Sequence, residues 1–240
     1  MTAQLLRGAI ASPRHKLAAA EPHQIDAAVS VPPQFIRIPK TLHMWGNDTL
    51  GDCVTAEEAF AKAANDPEID ISTMEVIAWA EAFGFANGAN LTDVMDKMAS
   101  IGFPALSLSH LSKRYLDGPY NSVNWHDSDI LKSAIYTGPV KIGIAADQVQ
   151  TAYTAGNGKN GWLGVDFKPD TNEDHCVSLC GYGSLAWLAN QLGVILPGAV
   201  DGTKPGYGLF TWSTIGIIDE PSMLAITGEA WLRNPTTIIK

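Results

Sequence analysis

Residues 45–60 read WGNDTLGDCVTAEEAF, a glycine-bearing loop that delivers Cys53 to the start of an apolar helix. Ala56, Ala59, Phe60, Ala63 and Ala64 recur at the i, i+3, i+4, i+7, i+8 spacing of one helical face, so the helix is expected to begin near Cys53. A cysteine at that point meets unpaired backbone N–H groups and the positive end of the helix dipole, both of which favour the nucleophilic thiolate. Two residues compete for the cap. Asp52 can face the backbone as N-cap, or turn inward and raise the thiol's pKa; Thr55-Ala-Glu-Glu58 fits a capping box that would start the helix two residues later and leave Cys53 in the loop. Taken alone, the segment suits a buried structural cysteine as readily as a nucleophile.

Outward from this stretch, the first half of the chain reads as helical. Ser72-Thr-Met-Glu75 is a capping-box pattern ahead of Val76, Ile77, Trp79 and Ala80, with Gly84 as the stop. Leu91, Val94, Met95 and Met98 mark a further helix from Leu91 to Ser100, capped by Asn90 and followed by Gly102. Another is expected near Ser128 to Tyr136, ending at Thr137-Gly138-Pro139. After Pro139 the period drops to two. Val140, Ile142 and Ile144 alternate with Lys141 and Gly143 as in a half-buried strand, and Asp174 to Gly183 and Tyr207 to Ser213 are further strands. The apolar stretch Leu185 to Val200 between them has room for a short helix. Helices followed by sheet predict an α+β fold with a cleft between the layers. Residues 1–40, rich in Ala and Pro, are expected as an extended arm, 41–136 as a helical lobe and 137–240 as a β-rich lobe, 41–240 forming one domain.

The second chemical element is Asp174-His175-Cys176-Val-Ser-Leu-Cys180-Gly-Tyr-Gly183. It places a histidine at the entry of an apolar strand, where one ring nitrogen can serve a nucleophile across a cleft while the other is held by protein. A lone histidine there is ordinarily structural. A cysteine at a helix start in the opposite half changes that reading.

Composition excludes several classes. The chain has 240 residues, 46% hydrophobic, enough to bury a sizeable core, and a formal charge of -9 that offers no basic patch for nucleic acid or anionic membrane. No run of about 18 apolar residues suggests a membrane helix. The start, MTAQLLRGAIASPRHKL, has no sustained apolar core with a cleavage site, and the three cysteines are too few for a disulfide framework, so a cytoplasmic, reducing setting is expected. Cys176 and Cys180, about 13 Å apart on one strand face at roughly 3.3 Å per residue, cannot bridge and read as small buried side chains. Strand alternation turns His175 away from both, so no metal site and no cofactor is expected. Gly156-Asn-Gly-Lys-Asn-Gly161 lacks the spacing of a phosphate-binding loop. The sequence implies no particular oligomeric state.

Together these motifs resemble the papain-like (C1-type) cysteine peptidases, especially bacterial relatives without prodomains. Gly51 and Cys53 fall on the family's Gly-x-Cys; Asn47 falls where the family keeps a glutamine of the oxyanion hole; Asn87-Gly88 resembles the Asn-Gly-Gly loop bordering the substrate groove. Gly138-Pro139-Val140 resembles the strand opening the second lobe, and Asp174-His175 with Gly181-Tyr182-Gly183 is similar to the Asp-His-Ala-Val and Gly-Tyr-Gly signature. The resemblance implies a papain-like fold and a thiol hydrolase of peptide or amide bonds, with Cys53 as nucleophile, His175 as base and acid, and Asn47 beside the Cys53 N–H for the oxyanion. An acyltransferase, cyclase or ligase on the same Cys-His pair, or a catalytically inactive binding protein, uses the same scaffold. Two departures stand out. Asn47 is one methylene shorter than glutamine, and Trp212 occupies the place of the asparagine that orients the histidine, leaving Ser213 or a backbone carbonyl for that role while the indole shields the ring. The family's disulfide cysteines are absent, which leaves stability to packing.

Overall fold

The computed structural model describes residues 5–104 and 113–240. The first four residues of the expected arm and residues 105–112 lie outside it.

The expected helices form where the caps put them. Cys53–Ala63 starts at the cysteine, with Asp52 in the N-cap position but making no side-chain cap hydrogen bond. The rival start at Thr55 is not used, and its hydroxyl has no partner. Thr73–Phe83 carries the complete capping box of Ser72 and Glu75 and stops at left-handed Gly84. Leu91–Ser100 follows Asn90, and Ser128–Thr137 is capped by Asp127, whose carboxylate accepts the N–H groups of Asp129 and Ile130. Arg14–Ala19, Asp147–Ala155 and Glu220–Ile226 are helices that the apolar spacing did not reveal, while Leu185–Gln191 fills the expected excursion.

An eight-stranded sheet organises the second half. Its order runs Tyr120–Ser122, Thr227–Arg233, Val140–Ile144, His175–Ser184, Pro205–Thr211, Thr214–Asp219 and Leu163–Gly164, with Phe35–Ile36 beside the far half of the His175 strand. Val140–Ile144, expected to be half-buried, is buried on both faces, because the Cys53 helix covers one side and the second apolar core the other. Two cores result. One joins Cys53, Phe60, Trp79, Met95 and Phe210 on the helical side; the other joins Leu131, Ile142, Val177, Leu179, Tyr207 and Trp212 within the sheet. No helix among the described residues is long and apolar enough to cross a membrane.

The Cys53 helix departs from the one-faced pattern, since every residue from Cys53 to Ala63 is buried. Its polar side is not solvated but engaged. Arg233 donates to Glu57 at 2.6 and 2.8 Å and to Glu58 at 2.9 Å, Lys141 pairs with both carboxylates, and Lys62 pairs with Asp117. The three carboxylates and three cations together sum to zero charge, the condition under which buried ions are tolerated. This ionic layer clamps the helix to the sheet, so stability does not rest on apolar packing alone.

Candidate active site

Antiparallel pairing of Val140–Ile144 with the His175 strand, in the register Ile144↔His175 and Gly143↔Cys176, sets His175 at the strand's entry beside the head of the Cys53 helix. The backbone N–H of Cys176 faces the Cys53 sulfur, which places the imidazole-bearing residue next to the thiol. Thiol and imidazole share a neighbourhood but no hydrogen bond: Nδ1 of His175 has no partner. Nε2 lies 2.7 Å from Thr211 Oγ1.

Thr211 is a residue that reading the sequence missed. The strand Pro205–Thr211 ends on it, and Trp212-Ser213 forms a two-residue turn closed by the Thr211↔Thr214 pair. Both turn residues are left-handed, with φ of 43° and 59°, the conformation of a type I′ hairpin that ordinarily uses Asn-Gly. This strained turn lays the Trp212 indole on the imidazole at 4.5 Å and 18° between planes. Trp212 therefore shields the ring, and of the two candidates neither it nor Ser213 is the hydrogen-bonding partner. The Thr211 hydroxyl can accept Nε2–H and so leave Nδ1 unprotonated, which an indole cannot do. A chain of contacts steadies it: Trp162 Nε1 donates to Thr214 Oγ1 at 2.9 Å, and Thr214 Oγ1 donates to the Thr211 carbonyl at 3.0 Å.

Asn47 is buried in the loop before the helix, with Nδ2 donating to Leu50 O at 3.3 Å and its own carbonyl accepting Leu6 N–H. One of its two amide protons is thus committed to the loop. Asp52, immediately before the cysteine, is nearly inaccessible and neither carboxylate oxygen has a partner. Burial, with Asp48 nearby, raises it to about 7. Asp174 is engaged by other groups: Oδ1 accepts Ala146 N–H at 3.0 Å and Oδ2 pairs with Arg7.

The arm runs through this site. The Gly8 N–H also faces the Cys53 sulfur, Gly8 O accepts Ala89 N–H at 2.8 Å, and Ala9 N–H donates to Asp174 O at 3.1 Å. Ala9–Ile10 pairs in parallel with Ala89–Asn90, which directly follows Asn87-Gly88. Trp212 Nε1 donates to Leu6 O, and Ser12 N–H donates to Glu229 Oε1 at 2.9 Å. The passage is so narrow that a Cβ on Gly8 would lie 1.8 Å from Gly51 O. Thus covered, Cys53 is 2% and His175 1% exposed. Burial drives the thiol up to about 12, against the pull of the two N–H groups, and burial with the nearby Arg7 charge takes the imidazole down to about 3. The pair is neutral in this conformation, not the thiolate–imidazolium pair that the motif suggests.

No family model matches the chain, and no curated protein resembles it significantly in sequence. Solved structures do match. The proform of Amb a 11, a ragweed pollen cysteine protease, superposes with a TM-score of 0.60 at 12% identity over 92% of this chain and 73% of that one. Digestive procathepsin L 3 of Tenebrio molitor larvae gives 0.60 at 14%, over 89% and 73%. Xylellain, a cysteine protease from Xylella fastidiosa, gives 0.58 at 14%, over 96% and 95%. The fold is that of the papain-like cysteine proteases.

Proposed function

We propose that the chain is a thiol hydrolase of peptide or amide bonds, and that the arm-filled cleft is its resting form. The observation that carries this reading is the placement of His175, held through Nε2 by Thr211 and covered by Trp212, at the strand entry beside the head of the Cys53 helix. Nδ1 is the nitrogen left for the thiol. With the arm displaced and water admitted, the desolvation that keeps both groups neutral is relieved, and the proton passes from Cys53 to Nδ1. The thiolate attacks the substrate carbonyl carbon. Its oxygen takes up negative charge facing the first-turn N–H of Cys53 and the remaining Asn47 amide proton. His175 then protonates the departing amine as the C–N bond breaks, and water, giving its proton to Nδ1, attacks the thioester to release the acid and the thiol.

The arm does not itself qualify as substrate in this pose, since it turns an N–H toward the sulfur rather than a carbonyl carbon. A second reading, a binding protein without turnover, is favoured by the engagement of Asn47 with Leu50 O. Iodoacetamide labelling of a chain whose arm is loosened separates the two. A thiol that reacts with an apparent pKa well below 8.5, together with peptide cleavage lost in Cys53→Ala, is the expected result; an ordinary titration with no cleavage overturns the hydrolase.

A further inference from the structure

The groove beside the nucleophile already contains a guest. Gly8 lies over Cys53, and the preceding residue, Arg7, reaches sideways into a space of about 790 Å³ bounded by Asp147, Gln150, Thr151, Thr154 and Ala155. Its guanidinium donates through Nη1 to Asp147 Oδ1 at 2.5 Å and to Asp174 Oδ2 at 2.7 Å, and through Nη2 to Gln150 Oε1. The receiving groups come from two elements, the Asp147–Ala155 helix and the residue before the His175 strand, and Asp174 is fixed by Ala146 N–H. The receptor holds two carboxylates and a carbonyl oxygen against one cation. Removing the arm leaves two acceptors that shared one nitrogen facing each other uncompensated, which favours the entry of another cation. A planar fork of N–H groups suits three converging oxygens better than the point charge of an ammonium.

We infer that Asp147, Asp174 and Gln150 form a substrate subsite for an arginine side chain, adjacent to the scissile bond on the side of Cys53 away from Ala89–Asn90. The inference rests on the hydrolase reading for the word substrate, but the binding site stands or falls separately. Arg7 is then a stand-in for the substrate residue, seated from within the chain, and Asp147 and Gln150 are specificity-determining rather than catalytic.

The test has two arms, both on the full chain. Arg7→Ala empties the groove, and thermal stability is followed with N-acetyl-arginine amide or its uncharged isostere N-acetyl-citrulline amide; Arg7→Met keeps the aliphatic stem should the alanine variant fail to fold. The arginine compound is expected to raise the melting temperature and the citrulline compound to leave it unchanged, with the effect lost in Asp147→Asn/Gln150→Ala. Asp147 is 75% exposed in its side chain, so this pair of changes leaves the core untouched. Equal effects of the two compounds, or none, overturn the site. In the second arm, the Gly8→Ala chain, in which the added methyl group expels the arm from Cys53, is given peptides randomised for three residues on each side of the cleaved bond, which are expected to be cut at least tenfold faster with arginine than with citrulline at one adjacent position. The double variant should erase that preference. Cleavage without arginine preference overturns the subsite, whereas binding without any cleavage upholds the site and removes the hydrolase.

Discussion

Thr211 illustrates how a single side chain escapes a reading based on order alone. Counting along the motif puts Trp212 at the histidine-orienting place, but the two-residue turn withdraws that position from the strand and leaves Thr211 as its last member, 2.7 Å from His175 Nε2. The signal was the short run between Tyr207 and Gly216, too brief for any turn but a tight one. Thr211→Val is expected to lower kcat about tenfold with little change in KM, since it removes one neutral hydrogen bond worth on the order of 1 kcal/mol and frees the tautomer; steady-state kinetics on arm-loosened protein checks this. That Cys53 opens a helix and His175 a strand was, by contrast, readable, because both starts are marked by local chemistry. Asp52 offers a separate test. Its folded pKa of about 7 lies above the unfolded value of 3.8, so its contribution to stability is intact at low pH and is lost as pH rises from about 4 through 7. Asp52→Asn should therefore leave the melting temperature nearly unchanged at pH 4 and raise it at pH 8, by an amount corresponding to at most about 4 kcal/mol.

Among elements, those with caps and clear periodicity were legible, and those defined by tertiary pairing were not. Ser72 with Glu75 specifies a helix start locally. Nothing local announces that Ala9–Ile10 will pair with Ala89–Asn90, because two residues of backbone pairing carry no periodic signature. Reading residues 1–40 as an extended arm foresaw neither the helix Arg14–Ala19 within it nor its route between Gly51 and Ala89. Gly8 is the position on which that route depends. Gly8→Ala forces a methyl group into the Gly51 carbonyl and is expected to expel the arm locally, raising the rate of Cys53 alkylation by iodoacetamide at pH 7 at least tenfold, as read by mass spectrometry of the modified peptide. Unchanged protection would show that the arm does not guard the thiol.

At the scale of the whole molecule, the α+β arrangement followed from the switch of period after Pro139, whereas the layer of ions between helix and sheet did not. Glu57, Glu58 and Lys62 read as the solvated side of an amphipathic helix, because sequence spacing cannot distinguish a face turned to water from one turned to matching charges such as Lys141 and Arg233. Burial opposes ionisation of Glu58, but those two cations prevail and hold it well below the ordinary carboxylate range. Glu58→Gln leaves them partly unmatched and should destabilise the protein by about 3–5 kcal/mol in urea unfolding at pH 7. The arm acts across the same boundary, bonding to Asn47 and Ala89 on one side and to Asp174, Trp212 and Glu229 on the other. Whatever withdraws it to admit a substrate also unfastens a seam. On the proposed function, the open form is thus the more fragile of the two, and the molecule keeps best with its arm in place.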